Sequence, residues 1–275
     1  MKKRVLSLAL AAVMCLFVLS SCNKAETQTE KKSPYEESVP ASFSASSGVE
    51  RESASKYNPT KIDQRDKTGY TVCVDPGHGF YDGGCGEGFY SDGTLEKDIT
   101  MAIATKLTER LSLLGYTVIQ THDGVNEPAQ DTNMNHIFSA TERVIYANSL
   151  DIDYLVSVHV NALDSDTSVK GMHIYYQQSS VKQNTWGAAA CDSIAKSIVE
   201  EVPGAKKPII KDGTDPNTSF ALTRDVTAAS SLIEVGFVTN EEDAENMIDP
   251  DWQQVVANAI ADGIDNFFKG LAEQK

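Results

Sequence analysis

From Tyr70 onward, short apolar runs alternate with segments of helical period, and this alternation constrains the fold more than any other feature. Tyr70-Thr-Val-Cys-Val74 reads as a buried strand, ended by Asp75-Pro76-Gly77. Leu95, Ile99, Ile103, Leu107, Leu111 and Leu114 then recur at spacings of three and four, one face of a helix that Gly115 stops. Tyr116–Gln120 predicts a second strand, and a loop leads to a helix near Ile137–Ser149. Tyr154–Val158 predicts a third strand, and Val169–Tyr176 a fourth. A helix follows over Thr185–Val202, then short strands at Ser219–Thr223 and Ser230–Val235. Asn240 suits the cap of a short helix opening on Glu241-Glu-Asp243, and Asp249-Pro250 suits the start of the last helix. The expected fold class is α/β: a single domain, with a twisted, mostly parallel sheet flanked by helices and a disordered linker before it.

The chain's first segment has a different logic. Lys2, Lys3 and Arg4 precede an apolar run, Val5–Leu19, broken only by Ser7. The run is shorter than the about 20 residues that cross a bilayer core, so it reads as a secretory signal. It ends Leu19-Ser20-Ser21-Cys22, the form of a bacterial lipobox, with Cys22 the residue to be lipidated. The expected division is a lipoprotein signal peptide over 1–21, lipidated Cys22 and a disordered linker over 22–68, and a catalytic domain over 69–275. The linker is rich in Ser and Glu and poor in aliphatics, so it buries too little apolar surface to offset its conformational entropy. As a flexible coil it would span roughly 35–40 Å on average. Two acyl chains, at about 0.8 kcal/mol per buried CH₂, anchor stably. The expected location is outside the bacterial cell membrane, lipid-anchored to its outer face and turned towards the cell wall. With 24 Lys+Arg against 39 Asp+Glu, the net charge is −15, which argues against a nucleic-acid partner. Of five cysteines, Cys73, Cys85 and Cys191 remain after the signal and the anchor, and no disulfide framework follows.

Four polar positions fall where apolar runs end, the rim at which α/β folds place their sites. They are His78 in Val74-Asp-Pro-Gly-His-Gly79, Glu96 in Thr94-Leu-Glu-Lys-Asp98, His159 in Ser157-Val-His-Val-Asn-Ala162 and Glu234 in Leu232-Ile-Glu-Val-Gly-Phe237. Two imidazoles and one carboxylate make a three-ligand shell with an open position, the arrangement of catalytic zinc. Zinc polarises a carbonyl and acidifies water. A second carboxylate can then take a proton and pass it to a leaving nitrogen. Taken singly, each residue has a plainer reading. A lone His is usually structural, Glu96 suits a first-turn acid, and only Glu234, after an apolar run, needs a partner or a job.

Together, in order, these segments resemble the zinc-dependent N-acetylmuramoyl-L-alanine amidases, the type 3 cell-wall amidases. The resemblance covers nearly everything from Tyr70 to Phe268, including Leu113-Leu-Gly-Tyr-Thr-Val118, Arg143-Val-Ile-Tyr-Ala-Asn148 and Ile233-Glu-Val-Gly-Phe-Val-Thr-Asn240. It implies that His78, Glu96 and His159 bind zinc, that Glu234 is the general acid and base, and that the substrate is the muramoyl–L-alanine amide of peptidoglycan. A protein activator is compatible with it. The alternatives are a zinc peptidase for another wall-peptide bond, or a noncatalytic peptidoglycan-binding lipoprotein. The sequence departs from the family at Thr121-His122, where Thr-Arg is usual, at Ala229, where Pro is usual, and across Lys206–Ser219. Other expectations are bland. Asp75 makes a turn or orients a ligand His, and Asn161 caps a turn or holds substrate. Arg143 is a salt-bridge residue, while His122, His136 and His173 are surface or satisfied residues. Cys85 is a loop thiol, and Trp186 and Trp252 pack.

Overall fold

The computed structural model describes residues 68–86, 89–90, 92–125, 139–178 and 183–273. The signal segment, Cys22, the linker up to residue 67 and His136 lie outside them. Strands β1 (Thr71–Pro76), β2 (Thr117–Gln120), β3 (Tyr154–Asn161), β4 (His173–Tyr175), β5 (Ile209–Lys211) and β6 (Ala229–Phe237) form one sheet in the order β2-β1-β3-β6-β4-β5. Every neighbouring pair is parallel except β4 with β6. The expected mostly parallel α/β architecture is what the chain adopts. The helices are α1 (Glu96–Leu113), α2 (Ala140–Asn148), α3 (Gln183–Glu201), α4 (Ala221–Arg224), α5 (Glu241–Ile248) and α6 (Pro250–Ala272). Among the described residues, no helix is long and apolar enough to cross a membrane.

Local chemistry explains the helix starts. Ser139 and Glu142 cap α2 reciprocally, side chain to backbone at 3.3 and 2.9 Å. Asn240 accepts from the Asp243 N–H and Asp249 from the Asp251 N–H, as their positions suggested. Two strand expectations need correction. Ser219–Thr223 is not a strand: a 3-10 turn over Pro216–Thr218, capped by Asp215, runs into α4. The Phe220 carbonyl collects the Thr223 and Arg224 N–H groups, so backbone pairing is local there. The fourth strand is only His173–Tyr175, because Asp166 organises a turn at Ser168 and Val169 and Gly171 takes φ +98°. Strand β5, three residues long at the sheet edge, has no sequence periodicity to announce it.

Side chains alternate along a strand, so each strand serves two faces. Val72, Val74, Val156, Val158 and Ile233 pack with Ile99, Ile103 and Leu107 of α1, Ile194 and Ile198 of α3, and Ile260 and Ile264 of α6. Trp186 packs edge-on against Phe267 and Phe268, inside this layer. Cys73 and Leu155 face the other way, onto Val144 and Ala147 of α2 and Leu222 of α4. The three long helices, of 18, 19 and 23 residues, cover the first face with the short α5, and those on the second face have only 9 and 4. Asp75, Ser157, His159, Glu234 and His173 share the parity of Cys73 and Leu155 through the strand register. The polar rim therefore lies on the second face, where helical cover runs out.

A buried ion pair fastens that rim. Asp75 is fully buried and accepts from Arg143 Nη1 at 2.9 Å, Ser157 Oγ at 2.5 Å and Thr121 Oγ1 at 2.7 Å. Arg143 Nη1 also donates to the Pro76 carbonyl at 2.9 Å, so α2 clamps the end of β1. Arg143 is thus a salt-bridge residue. Asp75 makes no direct contact with a ligand His; it acts through the turn that carries one. Burial alone would push the Asp75 carboxyl up, but Arg143, Ser157, His159 and Thr121 together hold it below the ordinary carboxylate range. A lowered folded pKa means that this stabilisation is fully present above about pH 4 and fades as pH falls through the folded value. Arg143→Met strands a buried charge and is expected to lower stability by about 3–5 kcal/mol at pH 7. Urea midpoints should converge with the parent's below about pH 4. A constant gap across that range would remove the pair from the account.

Candidate active site

The site begins at the turn after β1. Gly77 donates its N–H to the Val158 carbonyl at 2.8 Å. A Cβ there would lie 2.6 Å from both that oxygen and the His159 ring, so no side chain fits. The next residues are forced into unusual backbone: His78 has φ +63° and Phe80 φ +55°. Non-glycine residues in this region cost about 1–3 kcal/mol and persist only where surroundings hold them. Here Gly79 and Asp82 exchange two backbone hydrogen bonds at 2.9 and 3.0 Å, Lys97 Nζ donates to the Phe80 carbonyl at 2.7 Å, and Thr100 Oγ1 to that of Gly77 at 2.7 Å. His122 Nε2 lies 3.0 Å from the Pro76 carbonyl, under the Phe80 ring. His122 is therefore a buried brace for the turn.

Glu96 is the first residue of α1 and is 3% exposed. Its Oε2 accepts from the Cys85 N–H at 2.7 Å and its Oε1 from the Val160 N–H at 2.9 Å. These bonds aim the carboxylate between two rings: Oε2 is 3.2 Å from His78 Nε2, and Oε1 is 3.1 Å from His159 Nδ1. One ligand atom from each of His78, Glu96 and His159 lies within 4.8 Å of the others. Asp82 holds the far nitrogen of His78, with Oδ2 at 2.9 Å from Nδ1. The sequence reading missed Asp82. Its only signal is a carboxylate four residues after His78, in a glycine-rich loop where it also caps Gly84 N at 3.1 Å.

Charge follows geometry. Burial pushes the Glu96 carboxyl up, but hydrogen bonds from His159 and His78 outweigh it and hold the group well below the usual carboxylate range. Burial works against protonation of His78, yet Asp82 and Glu96 raise it to about 9. His159 is lowered, because its burial exceeds the pull of Glu96. Glu234, beside His159 in the β3–β6 register and 8% exposed, is raised to about 8 by burial and by the Glu96 charge, with His78 opposing. Of the four buried side-chain polar atoms that show no hydrogen-bond partner among the described residues, two lie at this cluster, His159 Nε2 and Glu234 Oε2. Orphaned buried atoms of this kind call for an ion or water. Two nitrogens and a carboxylate oxygen, converging beside them, fit zinc with a position left open. Cys85 stays outside this group: its Sγ donates to the Val160 carbonyl at 3.2 Å, and burial with the Glu96 and Glu234 charges pushes the thiol up.

Gly84 offers a local test. A Cβ there would lie 2.4 Å from Glu96 Oε2, and φ is +74°. Gly84→Ala must displace the carboxylate, and a metal ion held by this cluster would bind about 10–100-fold more weakly, as loss of a ligand's support implies. Competition with a chromophoric chelator measures this; unchanged affinity would mean that Glu96 does not need its present position.

All four sequence-predicted site residues therefore come together in the fold. The family model described as N-acetylmuramoyl-L-alanine amidase matches residues 72–266. The germination-specific N-acetylmuramoyl-L-alanine amidase of Bacillus subtilis is 28% identical over 205 residues, 73% of this chain and 81% of that protein. The amidase LytC of Bacillus subtilis is 28% identical over 73% of this chain, which spans 36% of LytC. Among solved structures, the amidase AmiC2 of Nostoc punctiforme superposes with a TM-score of 0.61 at 26% identity, over 73% of this chain and 97% of that one. The CwlD amidase of Clostridioides difficile, solved with the GerS lipoprotein, gives 0.61 at 26% identity over 73% and 99%. The chain belongs, through residues 72–266, to the N-acetylmuramoyl-L-alanine amidase family.

Proposed function

We propose that this chain hydrolyses the amide between the lactyl group of N-acetylmuramic acid and L-alanine in peptidoglycan. His78, Glu96 and His159 would hold zinc, and Glu234 would serve as general acid and base. The observation that carries this reading is the convergence of three ligand atoms within 4.8 Å, with a buried, partnerless carboxylate oxygen on the neighbouring strand. When bound, zinc supplies Lewis acidity, polarising the scissile carbonyl and making water a better nucleophile near neutral pH.

The chain's own residues do the rest. Glu96 is fixed by two backbone N–H groups and Asp82 fixes His78, so the ligand cluster is organised before any metal arrives. Glu234 takes one proton from the attacking water at Oε2 and gives it to the leaving nitrogen. Burial on β6 raises this carboxyl in the metal-free protein, the direction that suits proton transfer near neutral pH. The C–O bond forms as the C–N bond breaks, leaving a lactyl carboxylate and a stem peptide with a free L-alanine amine. Dinitrophenylation of digested peptidoglycan reads the new amino termini: L-alanine supports the assignment, and any other residue moves it to a wall peptidase.

The N-terminal sequence supports export and a lipid anchor at Cys22, with the linker letting the domain reach into the wall. Cys22→Ser is expected to abolish incorporation of labelled palmitate and release the protein into the medium; retention of the label would remove the anchor. On the likeness to CwlD, which was solved with a lipoprotein, a protein activator is proposed as well.

A further inference from the structure

The row of side chains that holds Glu234 continues past it. The register pairs His159 with Glu234 across β3 and β6, and Glu234 with His173 across β6 and β4. Directly paired residues stand on one face, with Cβ atoms about 4.5–5.5 Å apart. His173 is thus the neighbour of Glu234 on the side away from His78, Glu96 and His159.

Its half-buried ring is fixed on two sides. Nδ1 lies 3.1 Å from the Tyr175 hydroxyl, and the ring meets Phe237 edge-on, centroids 5.2 Å apart at 81°. Tyr175 is itself set edge-on against Phe220 at 4.9 Å. When the Tyr175 O–H donates to His173 Nδ1, a neutral ring carries its proton on Nε2. Burial and the Lys211 charge lower the His173 pKa, which favours the neutral ring. A rigidly held N–H beside the proposed acid is suited to receive an acceptor from substrate.

We propose that His173 is a substrate-binding residue, its Nε2–H donating to a carbonyl or carboxylate oxygen of the leaving peptide beyond L-alanine. This rests on the amidase reading. There, Glu234 hands its proton to the leaving nitrogen, so the peptide departs over Glu234. The ligand cluster occupies one flank of that residue and β4 the other. Further along the same face, Lys211 on β5 pairs with Tyr175 and is exposed, an ammonium suited to an anionic peptide.

The test is calorimetric titration of the tripeptide L-Ala-γ-D-Glu-L-Lys into the purified full chain and its variants. His173→Ala is expected to bind it about tenfold more weakly, the size of one hydrogen bond, at unchanged zinc content and melting temperature. His173→Gln, which keeps an N–H donor, should recover most of the loss. His173→Phe, which keeps a ring against Phe237 without the donor, should behave like Ala and takes its place if that variant fails to fold. In turnover, His173→Ala should raise KM for a muramoyl tripeptide by more than it changes KM for muramoyl-L-alanine. Equal tripeptide affinities in all variants, or no binding by the parent, would overturn the proposal. If the parent instead releases no alanine amine from either substrate, the amidase reading fails, while the titration still decides the role of His173.

Discussion

Glu234→Gln is expected to keep zinc and to lose about 10²–10⁴-fold in turnover, the usual contribution of a general acid–base group. Gln has the shape of Glu and does not relay the proton from water to the leaving nitrogen. No hydrogen bond of the ligand cluster runs through Glu234: Glu96 bridges His78 and His159. Stability gives an independent check. In the metal-free protein the Glu234 pKa is raised to about 8, above an unfolded value of about 4.3, so ionisation at Glu234 opposes folding as pH rises through that window. The neutral amide removes this penalty, and metal-free Glu234→Gln should melt no lower than the metal-free parent at pH 7. Zinc analysis, initial rates and a thermal melt together test the assignment; full activity in the variant would end it.

His159→Ala is expected to lose zinc and activity together. The imidazole is one of three ligands on the proposed metal, and it faces Glu96 Oε1 at 3.1 Å. Without it the carboxylate keeps the Val160 N–H at 2.9 Å but points at a gap. Loss of a ligand should exceed the about 10–100-fold that loss of an outer partner costs. The contrast with Glu234→Gln is informative, because the two residues are neighbours in one register and any general disturbance of the strands would affect them alike. A His159→Ala protein that retains stoichiometric zinc would place the metal elsewhere.

Much of this was legible in the sequence, for identifiable reasons. Helix α1 declared itself because Ile99, Ile103, Leu107 and Leu111 are all buried on one face. Strands β1, β3 and β6 declared themselves because apolar runs at the sheet centre are buried on both sides. His78, Glu96, His159 and Glu234 stood out because polar residues at the ends of such runs need a reason. What sequence lacked was convergence, which the β3–β6 register and the start of α1 supply. Strand β5 was missed, and β4 overextended, because three residues at an edge carry no period. Asp82 was missed because its role exists only once the backbone of His78 and Phe80 turns left-handed. His173 read as a bland histidine, because its place beside Glu234 comes from the single antiparallel pairing in the sheet.

The central claim is tested most directly by digesting peptidoglycan with the zinc-loaded protein in ¹⁸O-labelled water and reading the products by mass spectrometry. Hydrolysis of the muramoyl–L-alanine bond predicts the label on the lactyl carboxylate of muramic acid, opposite an unlabelled stem peptide with a free L-alanine amine. Label on a carboxylate inside the stem peptide, or products that keep alanine joined to muramic acid, would contradict it.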